Sequence, residues 1–226
     1  MKSGKKYLAA AQLIEKGKSY SIDEAFDLVI KTAITKFDSA VELHLNLNID
    51  PKKGEQQIRG TVVPPHGSGK KKNIAVFAEG KAAADAKKLG ATIVGGVELI
   101  EEIKKSGKVN FDLAIATPDM MKELAKIAKV LGPKGLMPNP KSETVTTDVV
   151  KTINELNKGK ISFKNDKNGN IHLSLGKVSM GVDKLKENFM AVMEEIKRAK
   201  PEDIKGTYIK SVTLATSMGP GIKVKV

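Results

Sequence analysis

A chain of 226 residues with 40% hydrophobic content can bury a core, so wholesale disorder is excluded, and the length suits one large domain or two small ones. There is no cysteine, which excludes disulfides, thiolate metal sites and a cysteine nucleophile. Lys and Arg number 39 against 26 Asp and Glu, and the net charge of +13 favours a polyanionic partner, either nucleic acid or an anionic membrane surface.

The opening, MKSGKKYLAAAQLIEKGK, places basic residues before a short apolar stretch that Gln12 and Glu15 interrupt. It reads as a helix that stays on the protein rather than as a signal peptide. No apolar run approaches the roughly 18 residues that a membrane span needs. Ser21 and Glu24 form a capping-box pair, after which Ile22, Phe26, Val29 and Ile30 share one helical face. From Val41 to Ile49 the alternation is strict, with Glu42, His44, Asn46 and Asn48 opposite the apolar side, as in a half-buried strand. Arg59 to Val63 is expected to pair with that strand across the turn PKKGEQQ.

Around Pro64-Pro65-His66-Gly67 the pattern changes. NIAVFAE (73–79), ATIVGG (91–96) and FDLAIATP (111–118) are short apolar runs, each followed by a helical segment. This repetition predicts a parallel sheet with crossover helices, closed by a helix from Thr147 to Leu156. From Gly159 the first style returns. ISFKND and NIHLSL suggest a hairpin around Asn168-Gly169. A long amphipathic helix follows with Val182, Leu185, Phe189, Val192, Met193 and Ile196 inward, and Met190 and Met193 are expected as core filler. TYIKSVTLAT and GIKVKV read as two further strands, the second alternating Ile222, Val224 and Val226 with lysines. Antiparallel-style segments thus flank a parallel block, and the simplest architecture inserts one domain into another, joined near residues 66 and 159.

Only Arg59 and Arg198 are arginines, so the charge is nearly all lysine, a point charge toward phosphate rather than a bidentate base reader. Residues 67 to 158 carry net +5 and the flanks net +8, and after Asp203 there is no acidic residue. The flanking domain is therefore the better candidate for an anion-binding face.

Catalytic signatures are weak. HGSGKKK (66–72) departs from a phosphate loop at Pro64 and Lys71 and precedes a strand, which leaves a basic hinge loop as the other reading. The first strand of the block ends in Ala78-Glu79-Gly80-Lys81, without a dinucleotide fingerprint. His44, His66 and His172 are isolated in sequence, and His44 and His172 sit on polar strand faces as ordinary surface residues. Glu101 and Glu102 look solvated on a helix. An enzyme reading needs a phosphate loop or an acid–base pair, and neither stands out. Two loops invite binding instead. LGPKGLMPNPK (131–141) is either a helix stop plus a turn or a rigid basic contact loop with Lys134 and Lys141. TSMGPG (216–221) is either a plain turn or a contact loop of exposed donors around a soft Met218.

Those loops, with GTVVPPHGSGK, TKFDSAVELHLNLNID and GTYIKSVTLATSMGPGIKVKV, resemble the bacterial form of the large-subunit ribosomal protein L-one family, the stalk proteins, from about Lys5 to the C-terminus. The resemblance implies an α/β (α+β) fold of two discontinuous domains. Residues 1–66 and 160–226 would form a split antiparallel α+β RNA-binding domain, and 67–159 an inserted Rossmann-like parallel α/β domain. It implies a non-enzymatic, cofactor-free cytoplasmic ribosome component, monomeric off the ribosome and without a membrane partner. Its implied partners are large-subunit ribosomal RNA at the mobile stalk, exit-site tRNA, and the messenger RNA of its own operon, whose translation it would repress. By family pattern, the RNA surface matches Lys36, Phe37, Ser39 and Glu42 on one side and Ser211, Thr216, Ser217, Met218 and Gly219 on the other, bordered by His172 and Ser174. The family usually reads Ser-Thr-Met-Gly where this chain reads Thr216-Ser217-Met218-Gly219, which keeps both hydroxyls and loses a methyl at 217. Phe37 has a second reading, as a core residue at a strand start. Lys134 and Lys141 would supply secondary RNA or tRNA contacts.

Overall fold

The structure, a computed structural model, describes residues 4–15, 17–69, 72–204 and 206–225, with the side chains of Lys81 and Lys141 left out. In chain order the elements are α1 (Lys5–Gln12), α2 (Ile22–Lys31), β1 (Ala40–Leu47) and β2 (Arg59–Val62). Then come β3 (Ile74–Phe77), α3 (Gly80–Lys88), β4 (Ile93–Gly95), α4 (Val97–Ser106), β5 (Leu113–Ala116), α5 (Met121–Leu124), α6 (Ala128–Leu131) and α7 (Val149–Asn157). The chain ends with β6 (Ile161–Lys164), β7 (Asn170–Lys177), α8 (Val182–Arg198), β8 (Ile209–Thr216) and β9 (Ile222–Val224). It separates into two compact units, Met1–Lys70 with Gly159–Val226, and Lys71–Lys158. The mixed α/β class expected from the sequence is what the structure has.

In the split unit, four antiparallel strands run in the order β7-β1-β8-β9. The alternation of β1 buries Val41, Leu43, Leu45 and Leu47, each at most 1% exposed. Each such side chain contributes about 1.5–3 kcal/mol by leaving water. The core against this face comes from α2 and α8, where Phe26 and Phe189 meet edge to face with centroids 5.6 Å apart. Helix α2 starts where the capping box dictates: the Glu24 N–H donates to Ser21 Oγ at 3.3 Å, and the Ser21 N–H donates to the Glu24 carboxylate at 3.1 Å. That backbone donation, with help from the Ser21 hydroxyl, holds the Glu24 carboxyl below its ordinary value.

Three expectations need correction. Strand β2 does not pair with β1. It pairs with β6 in a separate two-stranded sheet, in register from Arg59↔Lys164 to Val62↔Ile161. Both edges of β1 are already taken by β7 and β8, and period-two alternation cannot choose among partners. For the same reason β6 and β7 are not hairpin partners, although the chain does turn at 166–170, where the Asp166 N–H donates to the Asn170 carbonyl at 2.8 Å. The buried Asn165 extends the β2 pairing instead, its side-chain oxygen accepting from the Ile58 N–H at 2.8 Å. Finally, Met193 is core but Met190 is 54% exposed, because the helical repeat that turns Phe189 inward swings its neighbour out. Val226 lies outside the described residues.

The chain leaves and re-enters the split unit at one tightly packed place. Asn188 of α8 is fully buried. Its side-chain oxygen accepts from the His66 N–H at 3.0 Å, and its NH2 donates to the carbonyls of Gly67 (2.9 Å) and Leu175 (2.8 Å). The His66 ring meets the Glu187 carboxylate at 2.6 Å. Gly159, at φ +93°, presses against Gly67 and Ser68 so closely that a Cβ would fall 2.6 Å from the Ser68 nitrogen. Only glycine satisfies both the dihedral and the contact.

In the inserted unit, three parallel strands run in the order β4-β3-β5. Alternate residues serve opposite cores: Ala75, Phe77, Ala114 and Ala116 pack with Ile100, Leu124 and Ile127, while Ile74, Val76 and Ile115 pack with Val149 and Ile153. Helix α7 begins at Val149, two residues after the expected start, because the Asp148 side chain caps it by accepting from the Lys151 N–H at 3.2 Å.

Candidate functional site

The four-stranded sheet of the split unit has one face on the core, and its other face presents the alternate, partly exposed residues of each strand. On the free face β1 presents Glu42, His44 and Asn46. Across from them lie Ser174, His172 and Asn170 of β7, and Ala215, Thr213 and Ser211 of β8. Lys223 of β9 extends the Thr213 row. Asn46, Asn170, Ser174, Ser211 and Thr213 are short and polar, and among the others only Ala215 is apolar. The Asn46 NH2 donates to the Asn170 side-chain oxygen at 2.7 Å.

His44 and His172, read from sequence as isolated, face one another, with Nδ1 atoms 2.9 Å apart and ring centroids 5.0 Å apart. One ring's Nδ1–H therefore donates to the other's Nδ1. The outer nitrogens look toward carboxylates: His44 Nε2 is 3.7 Å from Glu42, and His172 Nε2 is 3.9 Å from Asp166. Partial burial, then the neighbouring His172, push the His44 pKa down, and Glu42 only partly offsets this. Asp166 is fixed by the turn it makes, accepting from the backbone N–H groups of Asn168 (2.8 Å) and Asn170 (2.7 Å). Those bonds, led by the Asn170 backbone N–H, hold its carboxyl below the usual range.

At one end of this face two segments are joined. The Ser217 N–H donates to the Ala40 carbonyl at 3.0 Å, and the Ala40 N–H donates to Ser217 Oγ at 3.2 Å. On the β8 side, Met218 sits at φ +65° and is 75% exposed. Thr216 is buried, and a Cβ on Gly219 would fall on its hydroxyl. On the β1 side, Thr35 Oγ1 donates to the Phe37 carbonyl at 3.0 Å and is hydrogen-bonded to the buried Ser39 hydroxyl. Asp38 is held by Ser179, whose Oγ–H and N–H donate to its carboxylate at 2.8 and 3.1 Å, and these donors lower its pKa. The braced segment turns Phe37 outward, 61% exposed, which overturns its reading as a core residue. Two large apolar side chains thus stand in solvent on neighbouring, mutually bonded segments.

Of the residues singled out from sequence, Lys36, Phe37, His172, Ser211 and Met218 are exposed, while Glu42, Ser174, Ser217 and Gly219 are half-buried. Ser39 and Thr216 are buried, so they shape the margin rather than touch a partner through their hydroxyls. Lys134 and Lys141 belong to the inserted unit. Lys134 is exposed in the segment after α6, where Met137 packs on the core. The Lys141 side chain lies outside the described residues, as do Lys70 and Lys71 of the basic loop. The sequence reading missed the His44–His172 pairing, the Asn46–Asn170 bond and the Asp38–Ser179 brace. All three depend on register, although the shared polar phase of His44 and His172 in two alternating strands was a usable signal.

Among the described residues no group of three or more His, Asp or Glu side chains is arranged to hold a metal ion, and no helix is long and apolar enough to cross a membrane. Residues 29–220 match the model of the ribosomal protein L1p/L10e family. The chain is 53% identical over 224 residues to the large ribosomal subunit protein uL1 of Mycoplasma capricolum subsp. capricolum, covering 99% of each chain. It is 52% identical, with the same coverage, to the protein of that name from Mycoplasma mycoides subsp. mycoides SC.

Proposed function

The chain belongs to the ribosomal protein L1p/L10e family, a structural rather than catalytic class, and from that premise we propose that it is a constituent of the large ribosomal subunit that holds ribosomal RNA through the margin where Phe37 and Met218 emerge. The observation that carries this reading is that pair of exposed apolar side chains on hydrogen-bonded segments beside a sheet face of short polar groups. A rigid, shallow, polar face admits a folded RNA surface closely, and base edges and 2′-hydroxyls can then be read by hydrogen bonds. Phe37 and Met218 supply apolar contact to base or ribose. Glu42 repels phosphate, so its role is to accept from amino or hydroxyl donors. Lys36, Lys210 and Lys223, all exposed, add the salt-dependent part.

Within the same proposal, the partners are stalk ribosomal RNA, the operon messenger RNA that carries a similar structure, and exit-site tRNA, with the inserted unit contributing Lys134 and Lys141. The protein acts as a cytoplasmic monomer when off the ribosome. The test is footprinting and affinity measurement on large-subunit ribosomal RNA at moderate salt. Met218→Ala or Phe37→Ala is expected to weaken specific binding by about 1–3 kcal/mol. Gly219→Ala should do the same by displacing Thr216. Full-strength binding by the doubly substituted Phe37→Ala, Met218→Ala chain overturns the assignment. The lysine-rich charge supports one rival, sequence-blind electrostatic binding. That rival predicts that unrelated RNA competes equally and that affinity vanishes for all sequences as salt rises.

A further inference from the structure

The facing imidazoles of β1 and β7 are more than surface histidines. Their Nδ1 atoms approach to 2.9 Å across a directly opposed pair. Both outer nitrogens lie within 4 Å of a carboxylate. At 3.7 and 3.9 Å these are ion-pair rather than hydrogen-bond distances, and a small closure would let each carboxylate accept from the outer N–H and orient the ring, as carboxylates do behind metal-bound histidines. We propose that His44 and His172 together bind one divalent transition ion of borderline softness, Zn2+ or Cu2+, through their two Nδ1 atoms.

The geometry needs little change. Two imidazole nitrogens at about 2.0–2.1 Å from a tetrahedral ion stand roughly 3.3 Å apart, so the rings must part by a few tenths of an ångström and turn until both lone pairs converge on the ion instead of on each other. Both rings are open to solvent on one side, with side-chain exposures of 33% and 56%, so they can part and the remaining coordination positions stay accessible. Metal binding also makes the two tautomers alike. Without an ion, one ring must carry its proton on Nδ1 and the other must not. With an ion, both carry it on Nε2, facing Glu42 and Asp166. Asp166 is pinned by two backbone donors and is thereby a fixed partner rather than a roving one. Nitrogen donors select Zn2+ and Cu2+ over Mg2+, which prefers oxygen. Two protein donors make a site of micromolar rather than structural affinity, consistent with the absence of a larger ligand group among the described residues.

The experiment is calorimetric titration of the untagged full chain, free of RNA, with Zn2+ and Cu2+ near neutral pH, and with Mg2+ as comparator. One ion per chain with micromolar affinity is expected for the transition metals and none for Mg2+. His44→Gln and His172→Gln should each abolish that binding, while Glu42→Gln should weaken it about 10-fold. His66→Gln, remote from the pair and held by Glu187, should leave it unchanged. Substoichiometric Cu2+ added to the unsubstituted chain should broaden the amide signals of β1 and β7 around these residues first, a readout independent of any variant's folding. No saturable binding below a millimolar, retention of binding in both single variants, or broadening centred elsewhere overturns the proposal.

Discussion

Strands β1 and β3 hold equivalent central positions in their sheets but live in different surroundings. Strand β3 is buried at all four residues, because helices cover both faces of its parallel sheet. Strand β1 is buried on one face and half-buried on the other. A sheet covered on both sides can offer a partner only its strand ends and loops. An antiparallel sheet with one free face can offer that face, and here half of the side chains on it are short enough to let a bulky partner approach. The candidate site lies in the split unit for that topological reason, and its larger net charge is secondary.

The largest effect that would sharpen this contrast concerns how the split unit is closed. Asn188 satisfies three backbone groups at the point where the chain departs. Asn188→Ala leaves those groups buried and unpaired, and should cost about 3 kcal/mol. Urea denaturation should show the loss in the split unit's transition alone. A loss confined to the inserted unit's transition would contradict the structure's division of the chain.

Next in size is the partition of RNA affinity. Removing Phe37 and Met218 should weaken specific binding without altering stability, since both are solvent-exposed. Lys134→Gln should change affinity modestly for every RNA and reduce the slope of log affinity against log salt by about one. If the two substitutions exchange effects, the inserted unit is the specific reader and the comparison above is inverted.

Much of this architecture is legible in the sequence because it depends on periodicity and local chemistry. The β1 alternation, the Ser21–Glu24 cap, the α8 stripe and the strand–helix repeats of the inserted unit all appear where the pattern places them. What was not legible depends on pairing. Nothing local in RGTV distinguishes β1 from β6 as its partner, and nothing around His172 names His44. The outward turn of Phe37 was equally hidden, because it follows from Thr35, Ser39 and Ser179 fixing a bend that periodicity cannot describe. The candidate margin is legible mainly as whole-motif resemblance, and the structure adds which members are exposed and which, like Ser39 and Thr216, only support them.

A smaller effect tests the core beneath the free face. The Tyr208 hydroxyl is buried without a partner among the described residues, and burial pushes its pKa up to about 12. Tyr208→Phe should therefore be neutral or stabilising by up to about 1 kcal/mol, since it removes an unpaired polar atom while keeping the ring. The native phenol resists ionisation more than the unfolded one. The unfolded chain thus releases its proton first, and stability is lost as pH rises above the ordinary tyrosine value. That alkaline loss should diminish in the Phe variant.

The smallest effect lies on the free face itself. Because the His44 pKa is lowered in the folded state, the native chain takes up a proton there less readily than the unfolded chain. Its contribution to stability is complete above the ordinary histidine value and is lost as pH falls through the lowered one. Adding a second proton to the pair would also set two Nδ1–H groups against each other and separate the rings. Glu42 and Asp166 oppose that repulsion from the two outer nitrogens. Melting temperature followed from neutral to mildly acidic pH should therefore fall slightly in the native chain and less in His44→Gln. An equal fall in both would mean that the imidazoles do not sense one another, and the cross-strand register that makes the polar face continuous would lose its most direct solution signature.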